Sequence, residues 1–359
     1  MIAQRAQRHR GHREIKKFSR LSLRSLFLCV LCANIREEIR SASWTTTVAK
    51  VKRFIMHDKT TIAFLGTGLM GLPMAARLLN ANFELTVWNR TRAKAEPLLA
   101  SGAKWADTPA AAVRNADVVI TMLTAAPAVE AVLFESGAAE AILPGAIVVD
   151  MSSTSPAVAR DHAARLASRK IQYADAPVSG GTRGATAGTL AIMAGADAKV
   201  FAELAPVFAP MGTARRVGPI GSGQLAKLAN QLIVAVTIGA VAEALTLAER
   251  GGADPAAVRA ALMGGFADSR ILTEHGQRML SKNFQPGGTV NNQLKDLKAV
   301  AAVAEDVGLD LPMLATVKRL FEQLKDAGGG ELDHSALFLQ IQQRGLATAV
   351  PSSGIAKEG

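Results

Sequence analysis

The 359-residue chain is 49% hydrophobic and 20% charged, a globular composition long enough for about two domains. The formal net charge is +11, but residues 1–55 hold 13 of the 41 Lys/Arg and 3 of the 30 Asp/Glu. The other 28 basic and 27 acidic residues nearly balance, so we expect no nucleic-acid partner. Both cysteines, Cys29 and Cys32, lie in 1–55, which excludes disulfide and thiol chemistry from the rest, and the six scattered histidines predict no metal site.

Residues 1–55 combine a basic segment, Arg5–Arg24, with a short apolar run, Leu26–Ala33. This pattern resembles a targeting sequence, and the run is too short to span a membrane. Met56 stands just before the first predicted strand, which favours an overlong assigned start and a basic, disordered extension. We therefore expect a cytoplasmic protein, with targeting by residues 1–55 as the alternative.

The strongest motif lies in residues 60–90. A strand, a glycine-rich turn, a helix and a second strand follow one another there: Thr61–Leu65, Gly66-x-Gly68-x-x-Gly71, Leu72–Leu79 and Glu84–Trp88. Gly66 permits the tight turn, Gly68 lets a pyrophosphate approach the backbone, and Gly71 lets the helix pack closely on the strand. The free N–H groups at the helix N-terminus favour phosphate binding. In this context the spacing predicts a dinucleotide site.

The second strand ends at Asn89, Arg90 and Thr91. An NAD site usually has an acidic residue here for the ribose 2′-hydroxyl. Because Arg90 can instead pair with a 2′-phosphate, while Asn89 and Thr91 add hydrogen bonds, we expect NADP(H), with NAD(H) possible. The alternative is that Arg90 is an ordinary solvated residue.

Further strand-like and helix-like segments alternate up to residue 217, which predicts a doubly wound, Rossmann-type parallel sheet. Its strands are expected at Ala116–Leu123, Ala146–Asp150, Ile171–Asp175, Thr189–Ala194 and up to Val217, and its helices at Ala125–Phe134, Pro156–Ser168 and Ala198–Phe208. Ligands are then expected beyond the carboxyl ends of the strands, including the loop Ala176–Gly181.

From Gly221 the pattern becomes helical, which predicts an all-α domain. Its helices are expected at Gly223–Arg250, Asp254–Met263, Ser269–Leu280, Leu294–Val307, Pro312–Asp326 and Leu337–Gly345. The polar residues within the first helix argue against a membrane span and for a core helix. Its second face predicts a homodimer or homotetramer. The expected domains are 57–219 for the cofactor and 220–345 for substrate and oligomerisation, followed by a flexible tail at 346–359.

Lys227 stands near the start of this mostly apolar helix, with Asn230 and Gln231 on the same face. A desolvated lysine has a lowered pKa and can give a proton to a carbonyl oxygen. An ordinary lysine that reaches solvent is an equally good interpretation of these residues alone.

Four motifs in order resemble the β-hydroxyacid dehydrogenase family, which includes 3-hydroxyisobutyrate dehydrogenases, tartronate semialdehyde reductases and, more distantly, 6-phosphogluconate dehydrogenases. The resemblance covers about residues 57–345, and its motifs are Phe64–Met74, Asp175–Ala185, Gly221–Gln231 and Lys295–Leu297. It implies that Lys227 is the catalytic proton donor and acceptor and that Asn230 or Gln231 orients the substrate hydroxyl.

The resemblance also implies binding residues. Ser179, Gly180 and Gly181 are expected to hold the substrate carboxylate. The implied cofactor contacts are Gly66, Thr67, Gly68, Leu69, Met70 and Gly71 in the first loop, then Met122, Leu123, Thr124, Ser153 and Lys295. Thr67 replaces the more usual Leu or Ile and is expected to point away from the phosphates.

Within the family, Gly264–Leu272 and Asn283–Gly287 look most like the tartronate semialdehyde (2-hydroxy-3-oxopropionate) reductases. With Arg90, this favours NADPH-dependent reduction of a small carboxylate-bearing semialdehyde, with Phe266 and Ser269 shaping the pocket. The alternatives are an NAD-dependent 3-hydroxyisobutyrate dehydrogenase, a glyoxylate or succinic semialdehyde reductase, a reductive aminase, and a non-catalytic NADP-binding scaffold. The presence of Lys227 argues against the last two.

Overall fold

The computed structural model describes residues 60–344, and the predictions for residues 1–55 and for the tail at 346–359 lie outside that range. Nine strands form one sheet within the described residues. They are β1 Thr61–Leu65, β2 Glu84–Trp88, β3 Lys104–Trp105, β4 Val118–Thr121, β5 Ile147–Asp150, β6 Gln172–Asp175, β7 Val178–Ser179, β8 Leu190–Gly195 and β9 Gly212–Gly218.

The sheet is parallel over most of its width, in the order β3-β2-β1-β4-β5-β6. This order is that of dinucleotide-binding sheets, and it confirms the predicted fold class. At the far end β8 runs antiparallel to both β6 and β7, and β9 is parallel to β8. The chain therefore reverses its direction between β7 and β8, in the segment that holds the positive-φ glycines 180, 181 and 188.

Helices cover both faces of the sheet. They are α1 Gly71–Asn80, α2 Glu96–Ala100, α3 Pro109–Val113, α4 Ala126–Glu130, α5 Ala138–Ala141, α6 Pro156–Ala167, α7 Gly181–Ala187 and α8 Ala198–Phe208. Alternate residues of β1 enter the two cores on opposite faces, with Ile62 and Phe64 in one and Ala63 and Leu65 in the other. Since strand side chains alternate, a strand covered on both faces is apolar throughout.

A helical part follows the sheet. Its helices are α9 Ser222–Arg250, α10 Pro255–Leu262, α11 Arg270–Leu280, α12 Val290–Asp306, α13 Pro312–Leu324 and α14 Leu337–Gln343. The predicted helix at Leu294 begins four residues earlier, because the Thr289 hydroxyl accepts a hydrogen bond from the Asn292 N–H and caps the helix. The predicted division of the chain at 219/220 stays a prediction.

The long helix α9 organises this part of the molecule. By length and apolar composition it could cross a membrane, and here its side chains Ala235, Ile238, Ala242 and Leu245 are buried in the helical core. It packs on α11, α12, α13 and α14, and its first turns also pack on β6, β8 and β9. Because the N-terminal end of α9 meets the sheet, a side chain in its second turn lies beside the strand ends.

Candidate active site

The carboxyl ends of five strands lie level with one another. Leu65 pairs with Trp88 on one side and with Thr121 on the other, and the row continues through Asp150 to Asp175. The loops predicted to bind ligands therefore begin along one edge of the sheet. They start at Gly66, Asn89, Met122, Met151 and Ala176.

The glycine-rich loop has the geometry that its spacing predicts. Gly66 has φ +107°, and a Cβ there would collide with the carbonyl of Met122. A Cβ on Gly71 would collide with the Gly66 carbonyl, whereas a Cβ on Gly68 would meet nothing within 4 Å. No side chain caps the N-terminus of α1 at Met70, and the Leu72 N–H donates to the Gly68 carbonyl at 3.0 Å, so this helix end offers an anion the partial positive charge of the helix dipole.

The end of β2 is tied to this loop. The Thr67 N–H donates to Asn89 Oδ1 at 3.1 Å, and Asn89 Nδ2 donates to the Thr91 carbonyl at 2.9 Å. Arg90 is exposed, and no hydrogen bond or ion pair found among residues 60–344 involves it. Leu69 is 85% exposed, and the buried hydroxyl of Thr67 has no partner within the described residues.

These features fit a dinucleotide. The open space over Gly68 and the uncapped helix end suit a pyrophosphate, and the exposed Arg90 follows β2, the strand whose end usually recognises the adenine ribose in such sheets. The prediction for these contact residues stays a prediction.

Two further loops are joined by a buried hydrogen-bond network. The Leu123 N–H donates to Ser152 Oγ at 3.0 Å, and the Ser152 N–H donates to Asp150 Oδ1 at 3.0 Å. Thr121 Oγ1 also donates to Asp150, at 2.7 Å. Burial raises the pKa of Asp150, and these hydrogen bonds oppose that rise. Beside this network Met122 and Ser153 are half-buried and Thr124 is exposed.

Lys227 lies in the second turn of α9 and is half-buried. Its Nζ donates to the carbonyl of Val178 at 2.9 Å. Burial lowers the pKa of Lys227, the nearby Lys295 lowers it further, and the carboxylate of Asp296 opposes both. The local geometry therefore favours the lysine with a lowered pKa over the ordinary solvated one.

The predicted substrate loop is adjacent to this lysine. Val178 is followed by the half-buried Ser179 and then by Gly180 and Gly181, whose φ values are +135° and +61°. Since Lys227 contacts the residue before Ser179, the structure brings the lysine and the loop together.

The predicted amides also gather here. Asn230 Nδ2 donates to Gln231 Oε1 at 2.9 Å, and Gln231 Nε2 donates to Asp296 Oδ2 at 2.6 Å. Lys295, with its side chain 44% exposed, pairs with Asp296 at 3.4 Å. Sequence reasoning named the motif that contains Asp296 but gave this residue no role. In the sequence Asp296 lies between Lys295 and Lys298, and a carboxylate among lysines is the signal that could have identified it as a residue that changes a lysine pKa.

The structure does not bring Phe266 into this group. Its side chain is fully exposed, in the segment between α10 and α11.

Sequence reasoning also missed a cluster of His275, Asp333 and His334, whose nitrogen and oxygen atoms lie within 4.8 Å of one another. The two histidines are joined by a 2.8 Å contact between their Nε2 atoms, and Asp333 accepts hydrogen bonds from Gly287 and Gly288.

Comparison with known proteins places this geometry in a family. A family model described as the NAD binding domain of 6-phosphogluconate dehydrogenase matches residues 61–221, and one described as NAD-binding of NADP-dependent 3-hydroxyisobutyrate dehydrogenase matches 221–340. A 2-hydroxy-3-oxopropionate reductase of Escherichia coli (strain K12) is 44% identical over 283 residues, which is 78% of this chain and 97% of that protein. The chain belongs to the β-hydroxyacid dehydrogenase family.

Solved structures agree with this assignment. A 3-hydroxyisobutyrate dehydrogenase of Mycobacterium tuberculosis with L-serine has a TM-score of 0.72 and 30% identity, covering 79% of this chain and 99% of that one. A structure described as Psf3 in complex with NADP+ and 2-OPP has a TM-score of 0.71 and 26% identity, covering 77% and 99%. The chain is therefore an NAD(P)-dependent oxidoreductase that acts on CH–OH groups of small hydroxy or oxo acids.

Proposed function

We propose that this enzyme reduces 2-hydroxy-3-oxopropionate to D-glycerate with NADPH. The observation that carries the proposal is the half-buried Lys227, which lies against the substrate loop at the edge of the sheet where the cofactor loops begin. The 2-hydroxy-3-oxopropionate reductase at 44% identity supports this substrate.

When bound, NADPH supplies a hydride for the aldehyde carbon. The Lys227 ammonium donates a proton to the aldehyde oxygen, so the carbonyl becomes an alcohol and the cofactor is oxidised. The Ser179 hydroxyl and the N–H groups of Gly180 and Gly181 hold the carboxylate, which fixes the aldehyde relative to Lys227.

We assign the orientation of the substrate hydroxyl to Asn230 rather than to Gln231. Both ends of the Gln231 amide are engaged, by Asn230 and by Asp296. Asn230 Oδ1 accepts no hydrogen bond from any residue between 60 and 344, and it is therefore free to accept one from a substrate hydroxyl.

The preference for NADPH rests on Arg90. An exposed guanidinium at the end of β2, with no hydrogen-bond or ion-pair partner among residues 60–344, suits a 2′-phosphate, and no acidic residue follows this strand for a 2′-hydroxyl.

A second candidate is an NAD-dependent 3-hydroxyisobutyrate dehydrogenase. The match of residues 221–340 to a model described for an NADP-dependent 3-hydroxyisobutyrate dehydrogenase and the similar structure from M. tuberculosis favour this substrate, and neither of them favours NAD over NADP. The two candidates share the lysine and the loop, and they differ in the substituent that the pocket accepts at the carbon next to the carboxylate.

The test follows NADPH and NADH oxidation by the full chain with tartronate semialdehyde, methylmalonate semialdehyde, glyoxylate and succinic semialdehyde. We expect turnover to be fastest with tartronate semialdehyde and NADPH. The Lys227→Ala variant should lose about 10²–10⁴-fold in kcat, whereas Lys298→Ala, at an exposed site on α12, should match wild type. Turnover of methylmalonate semialdehyde alone, with NADH, would establish the second candidate instead.

A further inference from the structure

Gln224 is a fully buried amide in the first turn of α9, one turn before Lys227. Its Oε1 accepts a hydrogen bond from the Thr154 N–H at 3.0 Å. Its Nε2 donates to the carbonyl of Ser152 at 2.8 Å. One side chain therefore holds both residues that flank Ser153.

Asp175, at the end of β6, anchors the same turn of the helix. Its two carboxylate oxygens accept the N–H groups of Gly221 at 2.7 Å and of Gln224 at 2.8 Å. The carboxylate lies so close to the helix backbone that a Cβ placed on Gly223 would be only 2.8 Å from Asp175 Oδ2. The carboxylate thus accepts hydrogen bonds from N–H groups that have no partner within the helix, and its negative charge interacts favourably with the positive end of the helix dipole.

Gln224 and Lys227 are three residues apart and share one face of α9, and Gly221 precedes the helix as its N-cap. That face meets Asp175 first, then the loop after β5, and then the carbonyl of Val178. The helix that carries the lysine is consequently connected to two strand ends over its first two turns.

The contact extends to a third loop. Ser152, whose carbonyl Gln224 binds, accepts the Leu123 N–H through its hydroxyl. A shift of Gln224 would move the loop at Ser153 and the loop at Leu123 together, relative to Lys227.

We propose that Gln224 is a positioning residue, which keeps the cofactor loops at Ser153 and Leu123 in register with the proton donor Lys227. The inference rests on the proposed function. A side chain at this site has to donate and accept a hydrogen bond at once, which an amide can do and a thioether or a carboxylate cannot.

The first test compares Gln224→Met with wild type. Methionine has a similar length and neither hydrogen bond. Because a small misplacement of reacting groups can cost about 10²-fold, we expect kcat to fall by about 10- to 100-fold. The KM for the aldehyde should stay close to the wild-type value, because the carboxylate loop at Ser179–Gly181 makes no hydrogen bond with Gln224.

Two further variants separate positioning from stability. Thr246→Val removes a buried hydrogen bond of the same helix, from Thr246 Oγ1 to the Ala242 carbonyl, and should leave kcat unchanged. Gln224→Glu keeps the shape of the side chain and loses the donor to Ser152 when its carboxylate is ionised, so a kcat that falls as pH rises in this variant tests the proposal if Gln224→Met does not fold. Equal kcat in both Gln224 variants and wild type, with only a lower Tm, would overturn the proposal.

A readout without substrate distinguishes this inference from the proposed function. Side-chain ¹⁵N NMR titration of Lys227 should show a higher pKa in Gln224→Met, because a loosened first turn lets water reach the ammonium. If wild type reduces none of the aldehydes, the proposed function fails, and this titration still decides the role of Gln224. An unchanged Lys227 titration in a folded Gln224→Met would count against the positioning role.

Discussion

At the scale of single residues, the proposed reduction depends on how Lys227 is placed. Its ammonium donates to the Val178 carbonyl, and burial and Lys295 lower its pKa while Asp296 opposes them. The carboxylate of Asp296 thus keeps a proton on a partly desolvated lysine that would otherwise lose it more readily.

This arrangement predicts a pH profile. A donor has to be protonated, so kcat/KM for aldehyde reduction should be full below the pKa of Lys227 and fall above it. That fall should begin at lower pH than the ordinary lysine value of 10.5. In Asp296→Asn the opposing charge is gone, and the fall should move to still lower pH. A profile that stays in place or moves upward in this variant would contradict the role of Asp296.

Arg90 gives a second prediction at this scale. A hydrogen bond to a charged group contributes about 1.5–3 kcal/mol, so Arg90→Ala should reduce the ratio of NADPH to NADH kcat/KM by about 10- to 100-fold. Arg92→Ala is the matched control, because Arg92 pairs with Glu96 and stacks over Trp105. Equal losses in the two variants would show that Arg90 does not recognise the phosphate.

At the scale of elements, a polar chain crosses the helical core. His275 on α11 contacts His334, His334 Nδ1 contacts Gln293 Oε1 on α12, and Gln293 Nε2 donates to the Gln231 carbonyl on α9. These hydrogen-bonded side chains link three helices through groups that are neutral at pH 7. Burial, with the charges of His275, Arg278 and Lys227, lowers the pKa of His334 to about 4, and the carboxylate of Asp333 opposes this.

The buried, neutral His334 predicts that the folded state loses stability in acid. The unfolded histidine binds its proton near pH 6.5 and the folded one near 4, so stability is full above about 6.5 and is lost as pH falls towards 4. Between pH 7.5 and 5 the loss from His334 should be about 2 kcal/mol. Urea unfolding of wild type and His334→Gln at both pH values measures it. The variant should lose less than wild type, and an equal loss would assign the acid sensitivity to other groups.

At the scale of the whole molecule, α9 leaves a largely apolar stripe on its outer side, in which Glu243 is the charged residue. Leu225, Ile233 and Leu247 are 50%, 66% and 74% exposed, and at 3.6 residues per turn they lie within about 80° of the helix circumference. Such a stripe favours a partner surface of the same kind, in support of the predicted homodimer or homotetramer.

This stripe predicts a concentration-dependent assembly. Light scattering should give a dimer or tetramer for wild type and a smaller species for Ile233→Asp, because a carboxylate in an apolar interface is strongly unfavourable. Glu243→Asp, which changes the same helix without adding a charge, is the control. A monomeric wild type would refute the predicted oligomer.

Much of the fold and of the site follows from the sequence because its signals are local. The strand, glycine turn, helix and strand from Thr61 to Trp88 have the predicted order, since φ at Gly66 and the apolar runs depend on neighbouring residues. Lys227 stands out for a similar reason, as a charge in the apolar start of one helix.

Tertiary structure alone decided what surrounds these elements. Asp175 and Gln224 are 49 positions apart, Gln231 and Asp296 are 65 apart, and His275 and His334 are 59 apart. The antiparallel end of the sheet likewise depends on where β8 meets β6 and β7. A buried polar group needs a partner wherever the chain supplies one, and only the folded packing brings such distant residues within hydrogen-bond distance.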